Sequence, residues 1–63
     1  MDKPPILNKE RILIHSMLKA GMGVEDIAVL SKKARRYIAP DKVRSEIVYL
    51  RATGDLERVL GRG

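Results

Sequence analysis

The fold is decided by residues 17–54, which read MLKAGMGVEDIAVLSKKARRYIAPDKVRSEIVYLRATG. Apolar residues recur in this stretch every three or four positions, and segments that contain glycine or proline separate the runs. This spacing is typical of amphipathic helices, because about 3.6 residues complete one helical turn. We therefore predict an all-α domain.

The first predicted helix covers Lys9–Ala20, with Asn8 as its N-cap. A Gly-Met-Gly turn follows at 21–23, since glycine accepts the left-handed backbone conformation that ends a helix. The second predicted helix covers 24–30, and its two early acids suit the positive end of the helix dipole.

The third predicted helix covers 40–53. Pro40 suits its first position because proline has a fixed φ and no amide hydrogen, and Gly54 suits its end. A short fourth helix is predicted within 55–60. The expected core is aliphatic and consists of Leu13, Ile14, Met17, Leu18, Ile27, Leu30, Val43, Ile47 and Leu50.

The length and composition limit the function classes. A chain of 63 residues forms one domain and buries only about 60% of its unfolded surface. The absence of cysteine excludes disulfides and thiolate metal sites, and the single histidine, His15, is expected on the exposed side of the first helix. We expect no catalytic residues, no metal and no cofactor, so an enzyme is not predicted.

The chain divides into a flexible N-terminal arm (1–7), a helical domain (8–60) and a frayed tail (61–63). No apolar run approaches the roughly 20 residues that span a bilayer, and the first residues lack the apolar core of a signal peptide. We therefore expect a cytoplasmic protein without membrane contact. Ile6, Leu7, Ile12 and Met22 are expected to be exposed, in a patch that a second subunit could cover.

Basic residues outnumber acidic ones by 13 to 8, which gives a formal net charge of +5. Such an excess favours a polyanionic partner, because lysine and arginine that neutralise phosphates release condensed counterions. A solvated, mobile loop is the alternative explanation for the basic run between the second and third helices. The candidate phosphate contacts are Lys32, Lys33, Arg35, Arg36, Arg44 and Arg51.

The outward side of the third predicted helix mixes basic, hydroxyl and small apolar groups. Such a face can enter a major groove, with polar groups on base edges and apolar groups on thymine methyls. A solvated helix face is again the plainer alternative. The candidates for contacts with base edges are Lys42, Ser45 and Tyr49.

Two motifs carry a family resemblance over roughly 9–54: Leu18-x-x-Gly21 with Asp26-Ile27-Ala28-x-Leu30, and Val43-Arg44-x-x-Ile47-x-x-Leu50-Arg51-x-x-Gly54. They resemble the helix-turn-helix domains of small phage and bacterial transcription regulators, including sigma-like proteins and cell-cycle regulators of the GcrA type. The resemblance implies a three-helix helix-turn-helix domain. The connection from Leu30 to Val43 is longer than in those proteins, which predicts a long basic loop before the third helix.

The first hypothesis is therefore a DNA-binding transcription regulator of the phage or prophage kind, a homodimer that reads double-stranded DNA with helix 40–53. A second hypothesis is a protein-interaction module that docks on RNA polymerase, a sigma factor or another phage protein. A third is a packaging or nucleoid-type component that binds DNA with little sequence preference. Leu56, Val59 and Leu60 either complete the core or form the dimer contact.

Overall fold

Four helices form the domain. The computed structural model describes residues 3–61, and no strand occurs in that range. The outermost parts of the expected arm and tail, residues 1–2 and 62–63, lie outside it. The helices confirm the all-α class and the short C-terminal helix; they are α1 (Asn8–Lys19), α2 (Val24–Lys33), α3 (Pro40–Thr53) and α4 (Leu56–Val59).

The start of α1 differs by one residue from the prediction. Leu7, not Asn8, is the N-cap, with extended backbone angles and no side-chain cap. The carboxylate of Glu10 accepts a hydrogen bond from the Leu7 backbone N–H at 3.1 Å. A donor that the helix leaves free is thereby satisfied from the third helical position, as in one half of a capping box.

Glycine ends α1 as predicted. Gly21 has a φ of +87°, and its N–H donates to the Leu18 carbonyl at 2.9 Å, while the Met22 N–H donates to the Met17 carbonyl at 3.1 Å. This pair of bonds is a Schellman motif. The motif turns Met22 back onto the core, so Met22 is half-buried rather than exposed as expected.

The connection between α2 and α3 is shorter than predicted. α2 runs to Lys33, so Lys32 and Lys33 are helical and the loop covers only 34–39. Apolar periodicity stops at Leu30, but serine and lysine have no strong tendency to end a helix. α2 closes at Arg35, which has a φ of +59° in the position where α1 and α3 use glycine.

The core is aliphatic and lies between α1, α2 and α3, with α4 against α1 and α3. The expectation that Leu30 is buried is wrong: the side chain is 44% exposed. Ile27, Ala28 and Ser31 form the inward side of α2. With α2 in this orientation, residue 30 lies at the boundary with solvent. The buried apolar residues are Ile6, Ile14, Met17, Leu18, Ile27, Ala28, Ile38, Val43 and Leu50.

Two segments outside the helices also belong to the core. Ile6 is buried, contrary to its expected place in an exposed patch, whereas Leu7 and Ile12 are exposed as predicted. In the loop, Ile38 is fully buried, and its N–H donates to the Ser31 hydroxyl at 2.9 Å. The same hydroxyl donates to the Ala28 carbonyl at 2.8 Å. The loop before α3 is therefore fixed to α2.

The described domain measures 30 × 24 × 17 Å, with a radius of gyration of 10.9 Å. None of the helices within 3–61 combines the length and the apolar character that crossing a bilayer requires.

Candidate nucleic-acid interface

The outward face of α3 carries a stripe of short side chains. Val43, Glu46 and Leu50 point inward, so the helix presents its opposite side to solvent. Ser45, Val48 and Ala52 are exposed on that side, and Asp41 continues their row toward the start of the helix. The backbone of α3 can approach a partner closely along this stripe.

Arginine borders the stripe on one side. Arg44 and Arg51 are exposed, seven residues apart on the same flank of α3. Arg44 donates to the Asp41 carboxylate at 3.0 Å and lies 3.7 Å from the Glu25 carboxylate. Arg51 forms no ion pair within the described residues. The two predicted phosphate contacts on α3 thus differ: Arg51 is available, and Arg44 must exchange a partner.

The other border of the stripe faces α1. Lys42 is exposed, and its ammonium group lies 3.4 Å from the Glu10 carboxylate. Tyr49 is half-buried, with the Arg11 guanidinium 5.9 Å from its ring centroid, which is a cation–π distance. Of the three residues predicted to contact base edges, Ser45 lies in the outward stripe, whereas Lys42 and Tyr49 lie beside it and contact α1.

The basic segment at the end of α2 has no acidic partners. Lys32, Lys33, Arg35 and Arg36 are exposed, and none of them forms an ion pair within 3–61. Part of this charge stabilises the C-terminal end of α2 through the helix dipole. Four free cations immediately before α3 nevertheless form the densest unpaired charge along the described chain.

A buried ionic cluster connects α1 with α3. Glu46 is fully buried, and one of its carboxylate oxygens lies 2.9 Å from Nε of Arg11 and 2.5 Å from Nε2 of His15. His15 is therefore half-buried, not free on an exposed face as expected. The cluster joins the inward side of α3 to α1, opposite the residues of α3 that face outward.

Sequence reasoning missed Glu46, although a signal is present. The residue falls three positions after Val43 and four before Leu50, inside the apolar stripe of α3. Arg11 and His15 are four apart and occupy one side of α1. An acid in an apolar stripe, together with two basic groups one turn apart on another helix, indicates a buried ion pair.

No family model, curated protein or solved structure matches this chain.

The residues predicted as a dimer contact are directed to the interior. Leu56, Val59 and Leu60 are half-buried and pack against the core cluster. They complete the core, which was one of the two alternatives for this segment. Within 3–61 no group of three or more histidine, aspartate or glutamate side chains is arranged to hold a metal ion.

The N-terminal segment lies next to the outward face of α3. Pro4 and Pro5 line one side of a cleft of about 440 Å³, and Ser45, Val48 and Tyr49 line the other. Lys3 and Arg44 also line this cleft and add positive charge to it. The buried Ile6 anchors this segment, so the prolines extend the surface that α3 presents.

Proposed function

We propose that this protein is a DNA-binding transcription regulator in which α2 and α3 form a helix-turn-helix and α3 enters the major groove. The observation that carries the proposal is the outward face of α3. Ser45, Val48 and Ala52 give it an uncharged centre, Arg44 and Arg51 border one side and Lys42 the other, and unpaired cations precede it. Asp41, at the N-terminal end of the same row, is paired with Arg44. Cations on both sides of an uncharged centre suit a helix that lies between two phosphate backbones.

The packing of the helices supports this assignment. α3 packs chiefly against α2, and the bond from Ile38 to Ser31 fixes the loop between them. A major groove is about 12 Å wide and admits one α-helix. α2 would cross the backbone, so that the cations at its C-terminal end lie near phosphates.

The proposed contacts follow from the position of each side chain. Ser45 is placed against a base edge, since its hydroxyl both donates and accepts hydrogen bonds. Lys42 and Tyr49 are placed at the groove wall, where Lys42 would exchange Glu10 for a DNA acceptor. The phosphate contacts are assigned to Arg51, Arg44 and the basic segment made up of Lys32, Lys33, Arg35 and Arg36.

Sequence specificity favours a dimer in this proposal. One α3 helix covers only a few base pairs, and a second copy on an inverted repeat doubles the interface. α4 offers little apolar surface for the contact, because its leucines and valine pack inward. The exposed side chains of Val29 and Leu30, beside Met22, are the alternative apolar surface.

The test is fluorescence anisotropy with a labelled mixed-sequence duplex across a range of salt concentrations. Replacing both Arg35 and Arg36 with alanine should reduce the slope of log K against log salt by about 2, and affinity at about 150 mM salt by about thirtyfold. A charge-matched control replaces Lys19 and Arg58, which lie on α1 and α4 rather than on α2 or α3. Equal losses in both double variants would contradict a localised interface.

A second candidate function is docking of a protein partner in the transcription machinery. Leu7 and Tyr37, which are 61% and 57% exposed, line a cleft of about 290 Å³ between the start of α1 and the loop. Lys9 and Arg36 border this cleft with positive charge. Absence of duplex binding at physiological salt would favour this function, whereas similar affinity for all duplexes would favour a nonspecific DNA-binding component.

A further inference from the structure

Val48 is the one large apolar side chain that α3 leaves exposed. It is 48% exposed, whereas Val43 and Leu50 are buried and Ile47 packs half-buried against the core. An isolated exposed valine is ordinary on a protein surface. Its position is what distinguishes this one, because it lies in the middle of the outward stripe.

Small neighbours leave the side chain of Val48 accessible. One turn before it on the stripe is Ser45, and one turn after it is Ala52, and both are small. The isopropyl group is therefore open to a group that enters the cleft beside α3. Arg44 and Arg51 lie to one side of it, so an approaching polyanion would be held there.

The surroundings of Val48 suit a small apolar group on a charged ligand. Val48 shares its cleft with Pro4 and Pro5, which have no side-chain hydrogen-bonding groups, and with the cations Lys3 and Arg44. In the major groove, thymine carries the one apolar substituent among the four bases, its 5-methyl group. The phosphates on either side of that methyl would face the cations.

We propose that Val48 determines sequence specificity by contacting the 5-methyl group of a thymine. The inference rests on the proposed DNA-binding function and adds the base that α3 selects. It assigns direct base selection to Val48 beside Ser45, and leaves Lys42 and Tyr49 at the border. Binding sites should accordingly contain a thymine at one fixed position in each half-site.

The experiment uses a duplex that the protein enriches from a random pool. Each thymine is replaced in turn by deoxyuridine, which pairs identically and lacks only the methyl group. At one position, loss of the methyl should weaken binding about three- to fourfold, the value for one buried methyl-sized group. In V48A the ratio of the affinity for the thymine duplex to that for the deoxyuridine duplex should fall to about 1 at the same position.

Ile12→Ala is the control for loss of an exposed apolar side chain. Ile12 is 70% exposed and lies on α1, so I12A should retain the full thymine-to-deoxyuridine ratio of the parent. Both Val48 and Ile12 are exposed, and alanine favours a helix, so both variants should fold; circular dichroism verifies this.

Two results would overturn the inference while leaving DNA binding intact. One is that no deoxyuridine position changes the affinity for the enriched duplex. The other is a thymine-to-deoxyuridine ratio in V48A equal to that of the parent and of I12A. If the protein bound no duplex at all, the proposed function itself would fail, and the inference would fail with it.

Discussion

Because the backbone of Arg35 is left-handed, the effect of this residue on the stability of the fold can be separated from its proposed effect on DNA binding. Arg35 has a φ of +59°, whereas the equivalent positions after α1 and α3 are Gly21 and Gly54. A side chain with a Cβ in this conformation costs about 1–2 kcal/mol, and glycine avoids that cost. The side chain is exposed, so no packing is lost on its removal. Backbone strain at an exposed arginine is the pattern expected where the charge has a function.

The change Arg35→Gly should therefore stabilise the fold and weaken DNA binding at once. Relief of the left-handed strain is offset in part by the greater freedom of glycine in the unfolded chain, about 0.5–1 kcal/mol. The net gain is about 0.5–1 kcal/mol in the free energy of unfolding, or about 2–8 °C in Tm for a domain of this size. Loss of one phosphate contact should reduce duplex affinity about fivefold at about 150 mM salt.

Thermal unfolding followed by circular dichroism and anisotropy titration of a duplex measure the two effects. Arg35→Ala is the matched variant, because it removes the same charge but retains the left-handed strain. It should lose affinity equally and gain no comparable stability. Gly54→Ala is the reciprocal control: no atom lies within 4 Å of an added Cβ, so any loss of stability reflects the backbone alone.

Two results would refute this reasoning. A glycine variant no more stable than the alanine variant would mean that the backbone at residue 35 is not strained. Unchanged affinity and salt slope in both variants would remove Arg35 from the interface.

Two further predictions concern the interior contacts that position α3. Glu46→Leu leaves the Arg11 guanidinium, whose side chain is 12% exposed, without its carboxylate, and should cost about 3–5 kcal/mol in urea unfolding. Arg11→Met with Glu46→Leu should cost much less than the sum of the single changes, and additive costs would contradict the ion pair. Ser31→Ala leaves the buried N–H of Ile38 unpaired and should lower the free energy of unfolding by about 1–3 kcal/mol. The control Ser16→Ala changes an exposed serine and should alter the free energy of unfolding little. Equal effects of the two changes would mean that Ser31 does not hold the loop.

Much of the helical architecture was predictable from local signals. Pro40 and Gly54 mark the ends of α3, and Gly21 marks the end of α1, because each residue has a backbone property that the position requires. The end of α2 was not predictable in this way. Its closing position is an arginine, so the usual glycine signal is missing and Lys33 was assigned to a loop.

The outward face of α3 was predicted only in part, and Glu46 is the reason. Apolar periodicity alone selects Val43, Ile47 and Leu50 as the buried stripe, but the buried carboxylate rotates the inward side toward residue 46. The rotation moves Tyr49 from the predicted outward face to the border with α1. The acid inside the apolar stripe signals that residue 46 is buried, but its partner His15 lies 31 residues away, so the local pattern of α3 does not place the contact.

The buried loop residue Ile38 was missed for a similar reason. It lies outside any periodic segment, and its burial depends on the hydroxyl of Ser31, seven residues earlier. Sequence reasoning identified the basic segment before α3 correctly as a charge cluster, but whether those charges were paired required the positions of the acids.

The most direct test of the central proposal is selection of bound sequences from a random duplex pool at about 150 mM salt, where nonspecific electrostatic contacts are weakened. A sequence-specific dimer should enrich an inverted repeat with half-site centres about 10 base pairs, or a multiple of that, apart. Recovery of an unenriched pool, or of no DNA at all, would contradict the account that α3 reads the major groove.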